Sequence, residues 1–158
     1  MNNFCPDLTP LQMLKLGVFG GAYFGGVCPK EFPKSWDCLS VVYSKVFDKN
    51  LNCFKVASGQ SAETWRKSNW IVPQDPLGWF QWYCRFYLKR VSQDDLRQKK
   101  RWAAFCRHKA QVVKHGSGDP EKRKIQRQAL LQWGYDPFPD IPNNVKETVY
   151  QKVQRIMK

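Results

Sequence analysis

A chain of 158 residues with 42% apolar and 15% aromatic side chains can pack one domain without disulfide or metal staples, and it is too short for two full ones. Its 26 Lys and Arg stand against 13 acidic residues, a formal charge of +13. That balance repels itself and suits a protein that meets a polyanion: nucleic acid, an acidic protein surface or anionic lipid.

No apolar run approaches the ~18 residues of a membrane span, so no membrane partner is expected. Met1 to Leu16 carries Asp7 and two prolines with no basic stretch before an apolar one, which does not read as a secretory leader, and an intracellular location is expected. The cysteines at 5, 28, 38, 53, 84 and 106 include no pair two to four residues apart. Neither a zinc site nor a redox pair is encoded locally, so reduced thiols, no metal and no cofactor are expected. Cys84 and Cys106 fall within helical patterns, where each is expected to serve as a small apolar side chain.

In chain order, Thr9-Pro10-Leu11-Gln12 reads as a helix start with a capping box, Leu11, Leu14 and Leu16 apolar, and Gly17 as its stop. Val18 to Gly26 places two glycine pairs between aromatics, a structural loop in the first reading and a ligand-facing loop in the second. A helix over Trp36–Phe47, a short strand over Asn52–Ala57 and a capped turn over Ser61–Trp65 are expected next.

Asp75-Pro76 opens a helix over Leu77–Val91, with Asp75 as N-cap and Lys89 and Arg90 at the cation-favouring end. Six aromatics in nine residues (Trp79, Phe80, Trp82, Tyr83, Phe86, Tyr87) leave little of its circumference polar, so it is central and mostly buried. The alternative is a platform on which bases stack, with Trp79, Trp82, Tyr83 and the loop residue Tyr23 as candidates.

Asp94 and Asp95 cap a helix running to His115 and ending at Gly116. Trp102, Ala103, Cys106, Ala110 and Val113 are expected on its inner side. Arg97, Lys100, Arg101, Arg107, His108, Gln111, Lys114 and His115 gather opposite, and no acidic residue follows Asp95 within the helix. A third helix runs from Asp119-Pro120-Glu121 to Trp133, closed by Gly134, with Ile125, Ala129 and Trp133 inward. A Pro-rich strap over 135–142 packs Tyr135 and Phe138 on the core. A last helix follows over Val145–Met157, capped by Asn143 or Asn144, with Val145, Val149, Val153 and Ile156 on its apolar side.

The charge is segregated along this order. Residues 85–127 hold fourteen basic residues against Asp94, Asp95, Asp119 and Glu121, a net +10 of the total +13. The phosphate-contact candidates are Arg85, Lys89, Arg90, Arg97, Lys100, Arg101, Arg107, His108, Lys114, Arg123, Lys124 and Arg127.

Gly17-Val18-Phe19-Gly20-Gly21-Ala22-Tyr23-Phe24, Asp75-Pro76-Leu77-Gly78-Trp79-Phe80-Gln81-Trp82-Tyr83-Cys84-Arg85-Phe86-Tyr87-Leu88, Asp94-Asp95-Leu96-Arg97-Gln98 and Trp102 resemble segments of a functionally uncharacterised family. That family is associated with large DNA viruses, fungi and algae. The chain departs from it at Lys89-Arg90-Val91, where Gly-Arg-Arg is expected. The resemblance implies no activity.

The expected fold class is mainly α: a single-domain helical bundle with a glycine- and aromatic-rich loop region before residue 75 and room for a short strand or hairpin. The expected function is nucleic-acid binding, DNA ahead of RNA, by phosphate contacts from the basic helices. A base-acting enzyme, glycosylase-like with a flipped base in an aromatic pocket, is the alternative, with Asp136 and Asp140 as its carboxylate candidates. A basic structural protein of a virus particle is the second alternative.

Overall fold

The computed structural model of the chain describes residues 3–36 and 43–156. Helix α1, Pro10–Lys15, begins where expected: the Thr9 hydroxyl accepts from the Gln12 amide at 3.3 Å, and the Gln12 side chain accepts from the Thr9 amide at 2.8 Å. The glycine run that follows is a chain of turns. Gly20 and Gly21 take positive φ and present carbonyls to the amides of Asp48 and Ser44, and a Cβ at Gly20 would lie 2.5 Å from the Phe47 ring.

The strand expected over 52–57 is not formed, and the helix expected over 36–47 falls largely outside the described residues. A 3-10 turn spans Lys34–Trp36, residues 37–42 lie outside the described part, and Tyr43 to Phe47 are not helical. At 52–57 the Asn52 side chain exchanges two hydrogen bonds with the Val56 backbone (2.7 and 3.2 Å), closing a turn where a strand would need a partner. Among the described residues there is no strand, only an isolated bridge between Val72 and Asp75.

Helix α2, Ala62–Lys67, is capped by Ser61. Helix α3, Trp79–Tyr87, starts later and stops earlier than expected. Asp75 is not its cap; the carboxylate is fully buried and holds Arg85 at 2.9 Å and Arg90 at 2.7 Å. Lys89 adopts a left-handed φ of 73°, and the Arg90 amide turns back to the Arg85 carbonyl at 2.9 Å, which ends the helix.

Helices α4, Asp95–Ala104, and α5, Cys106–His115, are separated by the single residue Phe105, and α6 spans Lys124–Gln132. Gly134, at φ 70°, closes α6 as expected, and α7 spans Asn143–Ile156. On α7, Val145 is exposed, and the side chains of Val149, Val153 and Ile156 lie outside the described part.

The interior forms one apolar cluster drawn from α1, the glycine loop, α3, α4, α5, α6 and the strap. Phe4 inserts edge-on among Trp82, Tyr83, Phe86 and Trp102, with centroids 5.0–5.5 Å apart. The strap packs down as expected: Tyr135, Phe138 and Ile141 are buried, and Tyr135 stacks on Trp102 at 4.9 Å.

Helices α4, α5 and α6 turn a partly different face inward from the one expected, although Trp102 is buried and Ala103 and Trp133 pack on the core as expected. On α4 and α5 the inner row is Gln98, Trp102, Phe105, Lys109, Val112 and Gly116, while Cys106, Ala110 and Val113 are exposed. On α6 it is Arg127, Gln128, Leu130 and Leu131, while Ile125 is exposed. Each inner row carries long polar side chains, which hid its helical period.

Candidate functional site

The chain folds its aromatic and basic segments around one cleft of about 640 Å³. The glycine loop contributes Phe19 and Tyr23, α2 and the turn after it Trp65, Trp70 and Ile71, and the start of α3 Gly78, Trp79 and Phe80. Helices α4 and α5 with their junction give Arg101, Ala104, Phe105, Arg107 and His108, and the end of α6 gives Ala129, Gln132 and Trp133. Trp79 and Phe80 are buried in its floor, while Trp70, Ala104 and Arg107 are exposed at its rim. Among the described residues no carboxylate lines it. Gly78 is required here: its φ is 94°, and a Cβ would come within 3.1 Å of Ile71.

Of the two arginines that line the cleft, Arg101 is held deeper. Its guanidinium lies 5.5 Å from the Trp70 ring and 5.4 Å from the Trp133 ring, and Nη1 donates to the Trp70 carbonyl at 3.3 Å and to Gln98 Oε1 at 3.0 Å. Burial pushes its pKa down to about 10, helped by the neighbouring Arg97 charge, so it stays a cation at neutral pH. No ion pair to a carboxylate holds it among the described residues. Beside it, His108 stacks on Phe105 at 4.1 Å, and burial, then the Arg107 charge, lower its pKa, favouring the neutral imidazole.

The structure divides the sequence candidates. Lys100, Arg107 and Lys114 are exposed, belong to no ion pair among the described residues, and recur at seven-residue spacing with Ala104 and Gln111 on one outer row of α4 and α5. Arg107 is shared by that row and the cleft. Lys89 and Arg123 are exposed on the turns that end α3 and open α6, both with positive φ.

Five candidates are instead held by the chain's own carboxylates. Arg85 sits on Glu31 and Asp75, Arg90 on Asp75, Arg97 on Asp94, Lys124 on Glu121 and Arg127 on Asp140. Arg127 is withdrawn from any ligand altogether, since its side chain has no exposed surface. It donates to the carbonyls of Lys122, Pro137 and Asp119 and to both Asp140 oxygens, all within 2.9 Å.

The stacking candidates divide as well. Tyr23 and Trp79 line the cleft. Trp82 is fully buried with its indole N–H on Asp95 at 2.9 Å, and the Tyr83 hydroxyl donates to the Leu8 carbonyl at 2.7 Å, so both belong to the interior. The rim ring Trp70 and the wall rings Phe105 and Trp133 were missed; only their closeness to cations in the sequence could have marked them.

Asp136 and Asp140 are outside the cleft. Asp136 accepts from Lys146 at 2.6 Å and from Tyr150 at 2.9 Å, and Asp140 is bound by Arg127 and the Gly118 amide, so neither is free to activate water. Among the described residues no group of His, Cys, Asp and Glu is arranged to hold a metal ion, and no helix is long and apolar enough to cross a membrane. No family model, curated protein or solved structure matches this chain.

Proposed function

We propose that this protein binds nucleic acid through its phosphates, using the outer row of α4 and α5. The observation that carries the reading is the row itself: Lys100, Arg107 and Lys114 face solvent in a stretch, Leu96 to Gly118, that contains no acidic residue. A cationic face that served only for solvation would mix signs and pair at i,i+4. A face left unpaired repels itself until a polyanion releases counterions onto it.

A row of cations reads charge, so DNA is taken first and RNA of equal length is the comparison. With contacts from Lys100, Arg107 and Lys114, log affinity against log salt falls with a slope of about −2 for a single strand and about −2.7 for B-DNA. Titration of labelled oligonucleotides between low and physiological salt measures it. A slope near zero, or no binding at low salt, overturns the proposal. The base-acting reading is not carried forward, because both of its carboxylate candidates serve the fold.

A further inference from the structure

The outer row of cations runs past the mouth of the aromatic cleft, and Arg107 belongs to both. Building on the proposed function, we infer that the cleft is a nucleobase site: it takes one unstacked base of a strand whose phosphates lie along the row. The protein therefore prefers unpaired DNA to intact duplex.

Three features of the cleft lead there. Its size, about 640 Å³, falls within the roughly 300–1,000 Å³ of small-ligand sites, enough for one nucleotide and too little for a duplex. At its rim the exposed Trp70 ring offers an apolar face, backed by Phe105 and Trp133, which stack on each other within at 5.0 Å; such a face suits any base because every base has a π-face. Its polar equipment is cationic. Both bonds that hold Arg101 come from Nη1, so the Nε–H and the Nη2 donors are uncommitted among the described residues, on a guanidinium 5.5 Å from the Trp70 ring and 5.4 Å from the Trp133 ring. A planar ligand carrying acceptors, attached to an anionic backbone, satisfies the rings and the donors together. A cationic ligand finds no carboxylate among the described lining residues.

The test separates this inference from the phosphate reading by keeping the charge and removing the bases. Affinities of the intact protein are compared at one low salt concentration for a thymidine 20-mer, an abasic strand of the same length and a 20-base-pair duplex. The thymidine strand is expected to bind about tenfold or more tighter than the abasic strand and to quench tryptophan emission, as stacking predicts.

Two variants address the cleft. Trp70→Ala removes the exposed rim ring, and Ala104→Phe fills the mouth without removing any contact. Each is expected to lower affinity for the thymidine strand about tenfold while changing abasic-strand affinity less than twofold. Equal binding of thymidine and abasic strands overturns the base site and leaves the phosphate reading standing; absence of binding to all three overturns both. Should Trp70→Ala unfold, the Ala104→Phe result and the comparison of strands still decide.

Discussion

Asp75 has no exposed surface and carries two arginines, Arg85 from the last turn of α3 and Arg90 from the turn that follows it. One carboxylate thereby fixes the entry of the helix to its exit. Removing its charge leaves two cations against a buried amide. Asp75→Asn is expected to lower stability by about 3 kcal/mol, the low end for a broken buried pair because both arginines keep some exposure. Urea unfolding checks it, and a loss under 1 kcal/mol contradicts the role.

Arg127 and Asp140 tie the turn after α5 to the Pro-rich strap. Burial raises the Asp140 pKa, but the Arg127 hydrogen bonds and the Gly118 amide outweigh it, so the folded value lies below the ordinary one. The pair therefore stabilises fully above the ordinary carboxylate range near 4, and the contribution is lost as pH falls through the lowered value. Asp140→Asn is expected to flatten the fall in urea midpoint between pH 6 and pH 3; equal acid sensitivity in the variant contradicts this.

At the level of elements, α3 shows how a helix can start without a cap of its own. Gly78 has no side chain to offer, and the loop residue Tyr23 supplies the missing group: its hydroxyl accepts from the Gln81 amide at 3.1 Å and donates to the Leu77 carbonyl. Tyr23→Phe keeps the ring in the cleft and orphans an amide, so it is expected to cost about 1–2 kcal/mol in thermal or urea unfolding with little effect on strand affinity. Gly116 ends α5 for want of space, its φ being an ordinary −78°. A Cβ there would sit 2.2 Å from Asp140 Oδ2 and 2.7 Å from Arg127 Nη2. Gly116→Ala should cost about 1–3 kcal/mol through overpacking.

These contacts mark what could be read in the sequence. Local signals carried through: the Thr9 capping box, the Ser61 cap, the Gly134 stop and the aromatic density of α3 are short-range chemistry. The inner faces of α4, α5 and α6 did not, because Gln98, Lys109, Arg127 and Gln128 occupy inward positions and break the apolar period. Arg127 looked like a phosphate contact because its buried partner lies thirteen residues away, in the strap. The cleft was legible only as a composition of aromatics and cations, since its walls come from segments between Phe19 and Trp133.

For the whole molecule, the basic side chains that outnumber the acidic ones 26 to 13 fall into two uses. Arg85, Arg90, Arg97 and Arg127 hold the chain to itself through Asp75, Asp94 and Asp140. Lys100, Arg107 and Lys114 remain outside that framework, on one row beside an aromatic cleft. The internal pairs fix the angle at which the row is presented, so variants of the row leave stability nearly unchanged. The most direct measurement compares the salt dependence of single-stranded DNA binding for the native chain and for Lys100→Gln, Arg107→Gln and Lys114→Gln combined. A slope falling from about −2 toward zero, with weaker binding to every sequence, is the predicted result; an unchanged slope and affinity in the folded triple variant contradict the account.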